Sequence, residues 1–131
     1  MKESLDRAEI NLIQQLKSGD DQSGSCSLIL LLDSHKATFA NVGDSRAFIL
    51  STKGVIQVTS DHKPETYVER DRIHKAGGKV YRQRVESSKE YLDTKGNTQT
   101  AHREVAYGPY RVEPGGLSVS RSLGDIRSKI N

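Results

Sequence analysis

Between Cys26 and Thr59 the chain carries four short apolar runs, Cys26 to Leu32, Lys36 to Val42, Arg46 to Leu50 and Val55 to Thr59. Only small polar turns separate them. Runs of this length suit strands, and connections this short cannot carry a parallel crossover, so the segment has to fold as antiparallel hairpins. Asp33, Ser34 and His35 form one turn; Ser51-Thr52-Lys53-Gly54 forms another, closing on a glycine. The four strands are expected to run as an antiparallel meander. Apart from Ser27, Cys26 to Leu32 is a continuous apolar run, the pattern of a central strand covered on both faces. Cys26 is the single cysteine, so it has no disulfide partner and is expected as a buried, reduced thiol.

Helices flank these strands. Leu5, Ala8, Leu12, Ile13 and Leu16 recur at helical spacing, which predicts a helix over Glu3 to Lys17, with Ser4 or Asp6 as its cap, packed on a sheet. Ser18 to Ser25 reads as a polar loop. Pro64 can open a second helix and Gly77-Gly78 can end it, so Pro64 to Ala76 is expected to turn Val68, Ile73 and Ala76 toward the sheet. Glu86 to Glu104 is different: its only apolar residues besides Gly96 are Tyr91, Leu92 and Ala101. Too little there can be buried to offset the entropy of ordering it, so this stretch is expected to be mobile.

Two Gly-Asp pairs carry the candidate chemistry. In GGLSVSRSLGD, Gly115 to Asp125, Leu117 and Val119 alternate with Ser118 and Ser120 as on a half-buried strand, and Gly124 can aim Asp125 away from it. In NVGDSR, Asn41 to Arg46, Asp44 lies between two apolar runs. Carboxylates held on rigid backbone suit Mg²⁺ or Mn²⁺, which prefer oxygen donors and keep several waters. Either pair could instead be a plain turn, with Asp44 accepting from the Ser45 or Arg46 backbone or pairing with Arg46. Among the histidines, His35, His74 and His102 have no ligand-spaced partner, whereas His62 in SDHKP is placed to pair with Asp61. Ser118 and Ser120 have no histidine base near them in any known nucleophile motif.

Taken in order, NVGDSRAFIL, TSDHKP, ERDRIHKAGGKV and YRVEPGGLSVSRSLGD resemble the middle of the metal-dependent type 2C protein serine/threonine phosphatases. The resemblance covers about 23 to 129, interrupted by 86–104. It implies an α+β domain, a mostly antiparallel β-sandwich flanked by helices in four layers, present here incompletely. Residues 1–131 then form a partial domain with a polar insertion at about 86–104. By the same resemblance Asp125 is a ligand of a central metal pair, Mg²⁺ or Mn²⁺, and Asp44 helps hold an additional ion; the chain matches no catalytic proton donor. The family's early Asp-Gly-His-Gly-Gly segment and its late Asp-Gly segment have no counterpart here. Two divalent ions about 4 Å apart repel by roughly 17 kcal/mol at an effective dielectric of 20, so two aspartates are too few to assemble the pair. The chain alone is expected to be inactive.

The implied partner is a phosphoprotein. A phosphatase-like module that binds or scaffolds without catalysis is the alternative. Net charge is +3, but the basic residues are interleaved with acids, so no nucleic-acid footprint emerges and a nucleic-acid binder is a distant third. Neither a membrane-length apolar run nor a signal-peptide core is visible, which suits an intracellular protein, cytoplasmic or nuclear. Oligomeric state is not legible.

Overall fold

The computed structural model describes residues 1–16 and 21–129. It is an α+β fold with only antiparallel strand pairs among those residues. Helix α1, Lys2–Gln15, leads into β1, Gly24–Ser25, and the hairpin β2, Ser27–Asp33, with β3, Lys36–Val42. A second hairpin joins β4, Phe48–Ser51, to β5, Gly54–Gln57. Helix α2, Tyr67–Lys75, precedes a long hairpin of β6, Lys79–Leu92, and β7, Thr98–Glu113. The short β8, Leu123–Gly124, and a 3-10 turn, Ile126–Ser128, follow. None of the described helices is long and apolar enough to cross a membrane.

Each strand has one partner, so the expected meander is instead four two-stranded sheets: β1 with β8, β2 with β3, β4 with β5, and β6 with β7. Burial follows from that. The run expected as a central strand is exposed, Leu31 at 58% and Leu32 at 69%, because β3 is its only strand neighbour and no described layer covers both faces. Cys26 lies just before β2 and is only half-buried. The interior gathers instead around Ile73 of α2, Val112 at the end of β7 and Ile126 beyond β8, with Pro64 the largest fully buried side chain.

The helices differ from expectation for identifiable reasons. Helix α1 has Met1 at its N-cap position and no side-chain cap bond from Ser4 or Asp6; it buries none of its residues. Leu5, Ala8, Leu12 and Leu16 of the expected stripe are half-buried and Ile13 is exposed, and Glu9 adds a polar link, accepting from the Gly124 N–H at 2.9 Å and pairing with Lys129 at 2.6 Å. The expected last residue, Lys17, and Ser18 to Asp20 of the loop lie outside the described residues. Helix α2 begins three residues after Pro64, since 64–65 form a turn. Ile73 faces inward as expected, but Val68 is 70% exposed and Ala76 is exposed. Glu69 takes the inward position beside Ile73 because two arginines neutralise it.

The polar stretch 86–104 pairs in register through the β6–β7 hairpin, Glu86 opposite Glu104 and Leu92 opposite Thr98. Backbone pairing, the exposed Arg84–Glu104 ion pair and a cross-strand His102–Glu86 contact at 2.9 Å shape it without an apolar core. The expected strand at Leu117 to Ser120 is reduced to a single bridge between Leu117 and Val112, followed by bends. Regular pairing resumes only at β8.

Candidate metal centre

Asp125 stands where the motif reading expects it, immediately after β8. The chain turns sharply there: Gly124 has φ +74° and Asp125 itself φ +48°, the left-handed region that a non-glycine residue seldom adopts. Backbone bonds hold this turn, the Asp125 N–H donating to Ser23 O at 2.8 Å and its carbonyl accepting from the Ser128 N–H at 2.9 Å. The carboxylate lies against Gly24, the register partner of Gly124. A Cβ added at Gly24 would fall 2.0 Å from Asp125 Oδ2, so only glycine leaves room for the carboxylate there. Among the described residues no hydrogen bond or ion pair engages that carboxylate.

Asp44 is differently placed. One of its oxygens accepts from the Cys26 thiol at 3.6 Å, and the other is in close ion-pair contact with the Lys63 ammonium. Lys63 holds the Asp44 carboxyl below its usual range against a smaller opposing effect of burial. Arg46, a candidate partner for Asp44, instead grips Asp61 with two bonds of 2.8 and 2.7 Å. His62 does not pair with Asp61; its Nδ1 accepts from the Gly43 N–H at 3.1 Å. The two aspartates are nonetheless drawn to one short segment, since Asp125 rests on Gly24 and Asp44 bonds Cys26, two residues further along.

The donor chemistry fits a hard cation in part. Mg²⁺ binds through one or two carboxylates with water and phosphate oxygens completing its octahedron, which Asp125 can satisfy as a free, rigidly held ligand. Asp44 would have to exchange an ammonium partner for a metal. Among the described residues no group of three or more Asp, Glu, His or Cys side chains is gathered to hold an ion.

Sequence reasoning missed the residues that build this site around the aspartates. Lys63 was in view only as the neighbour of His62. Glu69, Arg72 and Arg121 form a further anchor: Arg121 binds Glu69 in a fork with contacts of 2.5 to 3.1 Å, and Arg72 bridges Glu69 and the Ser120 carbonyl at 2.8 and 2.6 Å. Burial raises the Glu69 pKa, but the arginine hydrogen bonds outweigh it and bring the group down to about 2. The signal available was the Glu69–Arg72 spacing of three, which places both on one helix face.

An antiparallel α+β frame that fixes two acidic Gly-Asp turns on one segment defines the class, and the chain belongs to the protein phosphatase 2C family, whose sequence model matches residues 1–131. Among its relatives, the probable protein phosphatase 1N of Homo sapiens is 38% identical over 98% of this chain and 24% of its own length. Protein phosphatase 1A of Bos taurus is 38% identical over 60% of this chain and 21% of its own. The probable protein phosphatase 2C 15 of Arabidopsis thaliana is 35% identical over 86% and 23%. The chain thus spans between a fifth and a quarter of the length of these relatives.

Proposed function

We propose that this chain forms the middle of a metal-dependent protein serine/threonine phosphatase domain, with Asp125 a ligand of the central ions and Asp44 an outer ligand. The observation that carries the reading is the Asp125 carboxylate, without a hydrogen-bond or ion-pair partner among the described residues and fixed on a left-handed residue over Gly24. Mg²⁺ or Mn²⁺, when bound, would neutralise phosphate charge and lower the pKa of a bound water. The chain's own contribution is positional. Strand β8 and the Ser23–Asp125 backbone bond set where the carboxylate stands, and the Glu69–Arg121 pair ties down the segment that leads to it. The substrate is a phosphoserine or phosphothreonine protein, met inside the cell, in cytoplasm or nucleus.

Phosphate release from a phosphothreonine peptide, measured with this chain joined to the flanking segments of a relative, tests the reading. Metal-dependent turnover that falls with Asp125→Asn is expected; turnover equal to the parent's would overturn the assignment. A second reading, a noncatalytic phosphatase-like module that binds or scaffolds, draws support from Asp44, whose two oxygens already have protein partners. It requires no turnover in the same assay.

A further inference from the structure

Three consecutive residues, Asp61 to Lys63, contact the Gly43–Arg46 segment. Asp61 holds Arg46 through two bonds. His62 and Gly43 exchange a pair, the Gly43 N–H donating to His62 Nδ1 at 3.1 Å and the His62 N–H donating to Gly43 O at 3.0 Å. Pro64 is fully buried. Lys63, between those anchors, is therefore directed at Asp44 by its backbone setting, and its ammonium contacts the oxygen that Cys26 leaves open.

We propose that Lys63 is a built-in competitor for the divalent cation at Asp44, setting the metal concentration at which that carboxylate becomes a ligand. The proposal rests on the reading of Asp44 as a metal ligand. An ammonium carries one charge and a divalent ion two, so at equal distance the ion is attracted twice as strongly and can displace it. Both side chains of the pair are about one-third exposed, which keeps the pair weak enough to open. Among the described residues Asp125 has no such competitor, so the two aspartates would fill at different metal concentrations.

Mn²⁺ binding to the full chain, followed by the electron paramagnetic resonance of free Mn²⁺ at fixed low ionic strength, tests this without any turnover assay. Lys63→Gln should tighten binding at Asp44 at least about fivefold, the equivalent of a ~1 kcal/mol pair. Lys63→Arg, which keeps the cation, should not. The gain should survive in the Asp125→Asn background and vanish in the Asp44→Asn background. Lys89→Gln, on the long hairpin, controls for lost positive charge, and circular dichroism controls for folding. An affinity unchanged by Lys63→Gln, a gain that persists without Asp44, or no Mn²⁺ binding by the Lys63→Gln chain would each overturn the proposal. An effect of Asp125→Asn on Mn²⁺ binding is read separately, so a failed Asp125 assignment and a failed Lys63 proposal give different patterns.

Discussion

Glu69 and Arg121, 52 positions apart, form a forked ion pair that ties α2 to the segment running into Asp125. The Glu69 side chain is 6% exposed and that of Arg121 45%, so the carboxylate depends on its arginines while the guanidinium keeps access to water. Glu69→Gln should cost about 2 kcal/mol in urea unfolding, less than a fully buried pair would, because Arg121 can be rehydrated.

The same pair gives an acid dependence with a definite sign. Its folded pKa of about 2 lies below the unfolded value of 4.5, so the stabilisation is complete above about pH 4.5 and drains away as pH falls toward 2. The shift amounts to on the order of 3 kcal/mol. Unfolding midpoints between pH 5 and 2 should fall in the parent, and the slope should lose one proton's worth in Glu69→Gln. Parallel slopes would show that Glu69 is not the group responsible.

Gly24 offers a probe of Asp125 that leaves the aspartate in place. Gly24 has no left-handed φ that would forbid a side chain, yet an added methyl would collide with the carboxylate. Gly24→Ala should therefore displace Asp125 and weaken Mn²⁺ binding about tenfold or more while changing the unfolding midpoint little. Titration by calorimetry alongside thermal melts separates the two effects; equal affinity would mean that Asp125 is not the ligand.

Local patterns were legible where local rules decide the outcome. Strand β3 has the bounds its apolar run suggests, and Ser51 to Gly54 closes a hairpin as its glycine requires. Asp125 stands beyond a strand on a left-handed turn, as Gly-Asp suggested. Burial was not legible, because the continuous run from Cys26 to Leu32 says how apolar a strand is and nothing of what stacks on it. Charge pairs over long separations were equally hidden: apolar periodicity favoured Val68 as the inward residue, and only Arg121, far along the chain, makes Glu69 the better one. The Leu117–Ser120 alternation failed for a related reason. Arg72 and Arg111 take up the carbonyls of Ser120 and Gly116, so part of that segment's backbone is satisfied without a ladder.

The isolated chain should not release p-nitrophenol from its phosphate above background in millimolar Mn²⁺ or Mg²⁺. Among the described residues no three ligand side chains converge, and two aspartates cannot offset the repulsion between two adjacent ions. Turnover that appears with metal and vanishes with chelator, in a preparation free of contaminating phosphatase, would contradict this.

The long β6–β7 hairpin is exposed along most of its length and is held by its own cross-strand bonds. Replacing 86–104 by a two-residue turn should therefore change the unfolding free energy by less than about 1 kcal/mol, as for surface changes away from the core. In the completed domain the hairpin is expected to shape substrate access, so the deletion should alter preference among phosphopeptides. Unchanged relative rates across a peptide panel would remove that role.

In the completed domain Asp125 should matter more to turnover than Asp44. Among the described residues no cation pairs with the Asp125 carboxylate, so its charge is available to a bound ion, whereas Asp44 already shares its charge with Lys63. Asp125→Asn preserves size and hydrogen-bonding capacity but removes the charge, and should lower turnover at least about 100-fold, the scale of losing one strong electrostatic contributor. Asp44→Asn should cost less, and raising the metal concentration should recover part of the loss. Both variants must unfold near the parent's midpoint in the absence of metal, since a collapsed β8 turn would abolish activity for an unrelated reason. If Asp125→Asn keeps parental turnover at the same metal concentration, the left-handed turn at Gly124-Asp125 serves only to carry the chain from β8 into the 3-10 turn that packs Ile126 inside.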